Sequence, residues 1–295
     1  MLSILIPTFN YNCTLLVKDL HLQAIDVGIP FEIIVAEDGS TLFVAENSEI
    51  TILPFCQHFV LKKNIGRAAN RNFLAKQAKY ENLLFIDCDS KIVKHDFLKK
   101  YTSHFGKIIL GGRIYNAPSD NNHTLLPKYG QKERITNEQE GYLFTSPNFL
   151  IPKSIFNEVL FDEKITLYGH EDTLFGCNLQ AKGFKFFLID NPVLHIQIED
   201  NFSFLKKTEL SIDNLWELVQ KKSNKKLKDV STLYKYYQNL HKFKIDTIIA
   251  KIFMGTKTIL QKQLYSSNPS LFIFNCYKIG YLCHISNNKK TFCHK

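Results

Sequence analysis

The 295-residue sequence has no C-x-x-C pair, no run of about 18 apolar residues and no glycine in the polar segment after its first apolar run. Each absence excludes something. The seven cysteines (Cys13, Cys56, Cys88, Cys177, Cys276, Cys283 and Cys293) are odd in number and show no paired spacing. That argues against a disulfide framework and for free thiols in a reducing compartment. The Cys283-His284 and Cys293-His294 dipeptides fit no standard spacing of a structural zinc site. Without a long apolar run no transmembrane helix is predicted. The nearest approach, Leu271 to Ile285, is broken by Asn275, Lys278 and His284. The opening Met1–Pro7 lacks a basic leader and is too short for a signal core, so it reads as a strand. The expected location is therefore cytoplasmic, or peripheral on the inner face of the cell membrane. Pro7-Thr8-Phe9-Asn10-Tyr11-Asn12 lacks the glycine-rich phosphate loop that a nucleotidyltransferase-like nucleotide-sugar-binding protein would carry. There is no internal repeat and no low-complexity tract.

What is present is a chain able to bury a core, 45% hydrophobic and 13% aromatic. Its charge is uneven. Residues 1–200 hold 20 Lys+Arg against 23 Asp+Glu, whereas residues 201–295 hold 17 against 5. Two domains are expected: a catalytic one over 1–200 and a basic helical region over 201–295. A basic face suits an anionic partner. A membrane surface, a nucleic acid or plain packing on the catalytic domain are the alternatives. A nucleic-acid binder would need a groove-reading or aromatic module, and none is visible, so no nucleic acid is expected.

Strand and helix signals alternate over the first 110 residues. Ser3–Pro7, Phe31–Ala36, Phe59–Leu61 and Leu83–Ile86 read as strands, with helices over Cys13–Val27 and Gly66–Lys79. The alternation implies an α/β fold with a mainly parallel central sheet flanked by helices. Ligands of such sheets bind beyond the carboxyl ends of the strands, here Thr8–Asn10, Glu37–Ser40 and Asp87–Ser90. Ile108–Ile114 reads as one further strand, and Asn116–Gly141 as a long polar loop. Pro147–Pro152 is a short apolar piece. His170–Lys182 reads as a helix stopped by Gly183, followed by strands at Phe184–Ile189 and Val193–Ile198. Phe202–Lys222 is an amphipathic helix, Lys221–Lys228 a basic linker, and Leu233–Leu264 one or two helices with Lys between apolar residues.

Three clusters carry candidate chemistry. Asp87-Cys88-Asp89 ends a buried strand, and two carboxylates so close repel unless a cation shares the site. Glu171-Asp172 opens a helix, where carboxylates either stabilise the helix terminus or serve as a general base. Arg67 and Arg71 lie four apart on one helical face, able to meet phosphate or the acids.

In order and spacing, five segments of this chain resemble the inverting family 2 glycosyltransferases of the GT-A fold. They are Ser3–Asn10, Glu32–Ser40, Asn64-Ile65-Gly66 with Asn70-Arg71-Asn72, Leu84–Asp89 and Gly169–Asp172. The resemblance covers about residues 1–200. It implies a GT-A type nucleotide-sugar-binding fold with a C-terminal helical appendage. It also implies a sugar moved from a nucleotide-sugar, a UDP-sugar by expectation, to a hydroxyl of a glycan or lipid-linked glycan. By the same resemblance Asp172 is the catalytic base and Glu171 its supporting acid. Pro7, Thr8, Asn10, Glu37, Asp38, Asn64, Gly66, Arg71, Asp87, Cys88 and Gly112 contact the nucleotide-sugar. Glu37 stands where the family often has a first Asp. Asp89, His195 and Asp87 hold a divalent metal, Mn2+ or Mg2+.

Overall fold

In the computed structural model, residues 1–118, 120–131, 135, 137–221 and 224–292 are described. The chain forms two compact units that interleave in sequence. The first comprises Met1–Asn116, Lys132–Thr166 and Glu171–Gln197; the second comprises Ala117–Gln131, Leu167–His170 and Ile198–Lys295.

In chain order the first unit begins β1 (Leu2–Thr8), α1 (Thr14–Val27), β2 (Phe31–Glu37), α2 (Val44–Ser48), β3 (Cys56–Val60), α3 (Arg67–Gln77) and β4 (Asn82–Ile86). It continues with β5 (Ser90–Ile92), α4 (Phe97–Thr102), β6 (Ile108–Leu110) and β7 (Arg113–Tyr115). The second unit contributes α5 (Leu125–Gly130). Then come β8 (Gln139–Glu140), β9 (Asn148–Pro152), α6 (Lys153–Val159), α7 (Glu171–Ala181), β10 (Phe186–Leu188) and β11 (Val193–His195) of the first. The rest of the second unit is helical: α8 (Asn201–Gln220), α9 (Lys225–Val230), α10 (Thr232–Lys242), α11 (Asp246–Leu264) and α12 (Leu271–Phe292).

An eight-stranded sheet runs in the order β3-β2-β1-β4-β9-β6-β10-β8. β1 pairs in parallel with both β2 and β4, β2 with β3, and β6 with β10, while β9 runs antiparallel to β4 and β6. β1, β2 and β4 read as unbroken apolar runs because both faces of the sheet are covered. One face carries Leu16, Val17 and Leu20 of α1 over Ile4, Ile33 and Leu84; the other carries a phenylalanine cluster around Phe85, Phe149, Phe156 and Phe175. Burying each such ring contributes about 2–3 kcal/mol.

The expected strand over Ile108–Ile114 is two strands. Gly111 has no room for a Cβ, which would sit 2.4 Å from the Asn191 carbonyl oxygen, and Gly112 adopts φ 79°. That corner ends β6 in the large sheet and starts β7 in a second sheet of order β5-β11-β7. The long polar stretch after Asn116 holds α5 and β8, with Ser119, Lys132, Glu133, Arg134 and Thr136 outside the described residues. The expected basic linker Lys221–Lys228 overlaps α9, and its Lys222 and Ser223 lie outside the described residues. Leu233–Leu264 divides into α10 and α11 at Lys244, whose φ is 58°. α12 extends across Leu271–Ile285, while Cys293 and His294 lie outside the described residues. The helix that Gly183 was expected to stop does stop there. Gly183 takes φ 87°, and the Phe184 N–H returns to the Leu179 carbonyl. Among the described residues no helix is long and apolar enough to cross a membrane.

Candidate active site

Parallel pairing aligns the ends of β1, β2 and β4 on one edge of the sheet: Thr8 sits opposite Glu37, and Leu5 opposite Phe85. The strand order reverses at β1, the place where open α/β sheets bind ligands. The loops there are braced by their own polar groups. Asn10 Oδ1 accepts from the Thr41 and Leu42 N–H groups at 2.8 and 3.0 Å. Asp38 accepts from the Ile65 N–H at 2.6 Å and the Gly66 N–H at 3.0 Å, so β2 is clasped to the start of α3. Burial raises the Asp38 pKa above the ordinary value despite those two bonds. Glu37 is wholly buried. Its carboxylate takes hydrogen bonds from Ser40 Oγ at 2.5 Å and Asn47 Nδ2 at 2.6 Å, and His58 Nε2 lies 3.4 Å away. Burial opposes the charged form, but those partners outweigh it and hold the pKa low. Glu37 is therefore a brace beneath the loops, out of reach of a ligand. Thr8 is buried below the same loops, Pro7 is half-buried in β1, and Asn64 is exposed, its Oδ1 accepting from the Gly66 N–H at 3.1 Å.

The second sheet assembles the acidic centre. β5 starts one residue after Asp89. β11 runs antiparallel to it with His195 opposite Ser90, and the Ile196 N–H donates to the Asp89 carbonyl at 2.9 Å. This register brings His195 Nδ1 to 3.4 Å from Asp89 Oδ2. β7 lies parallel on the other side of β11, so the Tyr115 ring packs edge-on to His195 at 5.5 Å and the Arg113 guanidinium lies 5.3 Å over Tyr115.

Asp87 turns the other way. Its Oδ1 accepts from Arg71 Nη2 at 2.9 Å, and Arg71 Nη1 lies 3.8 Å from Glu171 Oε1. Arg71 is 4% exposed, with its guanidinium 5.5 Å over the Phe161 ring. Its Nε and Nη1 are buried with no hydrogen-bond partner among the described residues. Of the three expected metal ligands, Asp89 and His195 thus adjoin, and Asp87 is held by Arg71. α7 carries Glu171 and Asp172 on a rigid base, because Leu174, Phe175 and Leu179 are buried and Phe175 stacks on Phe161 at 4.2 Å.

The electrostatics separate the carboxylates. Burial and the neighbouring Glu171 push Asp172 up to about 7. Burial raises Asp87 too, against the pull of Arg71. Asp89 goes the other way: burial is outweighed by His195, Arg113 and Arg67, and its pKa falls. The Cys88 thiol between them is driven up by burial and by both aspartates, so it stays a neutral thiol. Asp172 Oδ1 accepts from the Thr173 N–H at 2.6 Å, which holds one of its two carboxylate oxygens.

Among the described residues no group of three or more His, Cys, Asp or Glu side chains is gathered to hold a metal by itself. Asp89 and His195 still suit a partial site. Two neighbouring ligands of an octahedral ion with bonds of ~2.1 Å lie about 3 Å apart, and a Mg2+-like ion commonly takes only one or two protein ligands beside phosphates and water. Arg113 and Tyr115 belong to this centre, and so does the Asn148 amide that donates to the Gly112 carbonyl at 2.5 Å. The family resemblance implied that Gly111-Gly112-Arg113 and Thr145–Asn148 flank the donor sugar, and it passed over Tyr115. The adjacent glycines at 111–112 were the available signal for the corner that places them.

The family description "Glycosyl transferase family 2" matches residues 3–160, more than half of the chain. A chondroitin synthase of Pasteurella multocida (strain Pm70) is 28% identical over an alignment of 240 positions, and the match covers 66% of this chain and 24% of that protein. The chain therefore spans about a quarter of the length of that relative. The mannosyltransferase PcManGT from Pyrobaculum calidifontis, solved with GDP-Man and Mn2+, superposes with a TM-score of 0.59 at 11% identity, covering 97% of this chain and 86% of its own. S. aureus TarS 1-349 in complex with UDP-GlcNAc superposes with a TM-score of 0.51 at 15% identity, covering 98% and 92%. At those identities the two structures speak to the fold.

Proposed function

Because this chain belongs to glycosyl transferase family 2 and has the GT-A fold, we propose that it is an inverting, metal-assisted transferase acting on a UDP-sugar and a glycan hydroxyl. The observation that carries the reading is the separation of carboxylates around Arg71: Asp172 raised to about 7, Asp89 lowered beside His195. Sites that split paired acids in this way assign one as proton acceptor and the other as a permanent anion.

The loops Thr8–Asn10 and Asp38–Ser40 wall the nucleotide, with Asn64 and Gly66 at the start of α3. Gly112 and Asn148 flank the donor sugar, and Cys88 lies beneath it. Asp89 and His195 would hold a divalent cation, which when bound supplies positive charge beside the diphosphate. Arg71 draws Asp87 and Glu171 together and keeps both oriented. Asp172 takes the proton of the acceptor hydroxyl as that oxygen bonds to the anomeric carbon. The bond from that carbon to the diphosphate oxygen breaks in the same displacement, so UDP leaves and the transferred sugar has its anomeric configuration inverted. A UDP-GlcNAc complex of a protein with this fold supports the nucleotide, and the chondroitin synthase relative supports a glycan acceptor.

The test is UDP or GDP release from a panel of UDP-sugars and GDP-mannose, with Mn2+ and with a chelator. We expect turnover of a UDP-sugar that chelation removes. Asp172→Asn should retain UDP binding and lose transfer by about 10²–10⁴-fold. Full transfer by that variant would remove Asp172 from its role, and full turnover in chelator would remove the cation from Asp89 and His195.

A further inference from the structure

The second unit presents a surface that the proposed reaction does not use. After Asp229 the sequence contains one carboxylate, Asp246, and it is buried against His241 with the ring Nδ1 2.9 Å from its Oδ2. From residue 247 to residue 295 there are seven lysines and no Asp or Glu. α11 runs through this region with two apolar faces. One face is buried through Ala250, Phe253 and Leu264. On the other side Ile248, Ile252 and Ile259 stand 58%, 59% and 67% exposed. At 3.6 residues per turn these three lie within roughly 60° of arc, facing away from the buried side. Exposed Lys251 and Lys262 flank them. A surface helix needs one apolar face to pack. A second one, aligned and in water, marks a contact surface rather than scattered surface residues.

We propose that this outer face of α11 docks on an anionic lipid bilayer, its isoleucines entering the boundary below the headgroups and its lysines meeting the lipid phosphates. Charge complementarity selects the occupant. A surface without carboxylates favours a dense negative layer, and branched aliphatic side chains favour hydrocarbon over the hydroxyls and phosphates of a nucleic acid. The contact proposed is one that lies on the bilayer surface; among the described residues no helix is long and apolar enough to cross a membrane. The proposal does not rest on the assignment of the catalytic residues.

The test is cosedimentation of the full chain with vesicles of phosphatidylcholine alone and of phosphatidylcholine containing one third phosphatidylglycerol. Binding is expected to the anionic vesicles and to weaken as salt rises. The I248S/I252S/I259S variant should bind about tenfold more weakly with an unchanged melting temperature, since the replaced side chains are already in water. K251Q/K262Q should lose part of the salt-sensitive component. The single variant I252S repeats the test with a smaller loss if the triple variant folds poorly. Absence of cosedimentation, or binding that the serine variants keep in full, would overturn the proposal. A wild-type dimer in light scattering that the serine variants dissociate would assign the face to a second copy instead. Duplex DNA binding without vesicle binding would assign the charge to nucleic acid.

Discussion

Asp172, the proposed base, is a side chain whose titration bears on both activity and stability. Its carboxyl is pushed up to about 7 by burial and by Glu171, from 3.8 in an unfolded chain. A carboxyl with a raised folded pKa is disfavoured by folding once it ionises. The cost is absent below about pH 4, grows as pH rises to about 7 and is fully present above that. Asp172→Asn should therefore stabilise the protein at pH 8, by about 2 kcal/mol after allowing for partial solvent access, and leave stability unchanged near pH 4. Thermal unfolding of both proteins across that range checks this, and a gain independent of pH would contradict it. The same titration predicts that kcat/KM of the wild type falls about tenfold per pH unit below 7, because only the ionised carboxylate accepts a proton. Sequence alone singled out Asp172 as a candidate base through its place in a motif. It could not supply the titration, which depends on Arg71, Arg113 and Glu171 meeting in space from three elements.

At the scale of elements, the long buried strands were legible, as were the short β6, β10 and β11, whereas β5 and the separate β7 were not. β1, β2 and β4 announce themselves as apolar runs because helices cover both faces. β5 and β7 are three residues each and contain Ser90, Lys91 and Arg113, so no periodicity could mark them. Yet β5, β7 and β11 place Asp89, His195 and Arg113 together, and that pairing is long-range. α4 and α6 were likewise too short for a pattern. The Glu37-Asp38-Gly39-Ser40 turn was legible as a turn, and the structure explains its glycine. Gly39 has φ 69°, and a Cβ there would lie 2.4 Å from the Asn64 amide nitrogen. Gly39→Ala should cost about 3 kcal/mol in denaturant unfolding and raise the donor KM more than it lowers kcat. The reason is that the Asp38 clasp on Ile65 and Gly66 would be forced open. An alanine variant of unchanged stability would show that the turn yields more easily than this geometry implies.

For the molecule as a whole, the proposed chemistry and the proposed attachment fall to different units. Adding UDP and Mn2+ should slow hydrogen exchange at Thr8–Asn10, Gly39–Ser40 and Asp87–Asp89 and leave α10, α11 and α12 unchanged. Protection confined to the helices would relocate the nucleotide. The change of charge near residue 200, on which the expected boundary between 1–200 and 201–295 rested, was legible in the composition. The interleaving was not, since nothing in Ala117–Gln131 or Leu167–His170 is distinctive in composition. In the second unit Asn201 Oδ1 accepts from the Thr124 and Leu125 N–H groups, Leu125 is fully buried with Leu205 and Phe274, and Asn214 donates to the Gly169 carbonyl. A gene cut at residue 200 would therefore leave two segments of the upstream piece without the residues that bury and bond them. Neither unit is a contiguous cassette. A single crossover between genes cannot exchange the helical unit intact, so inheritance of one unit entails inheritance of the other.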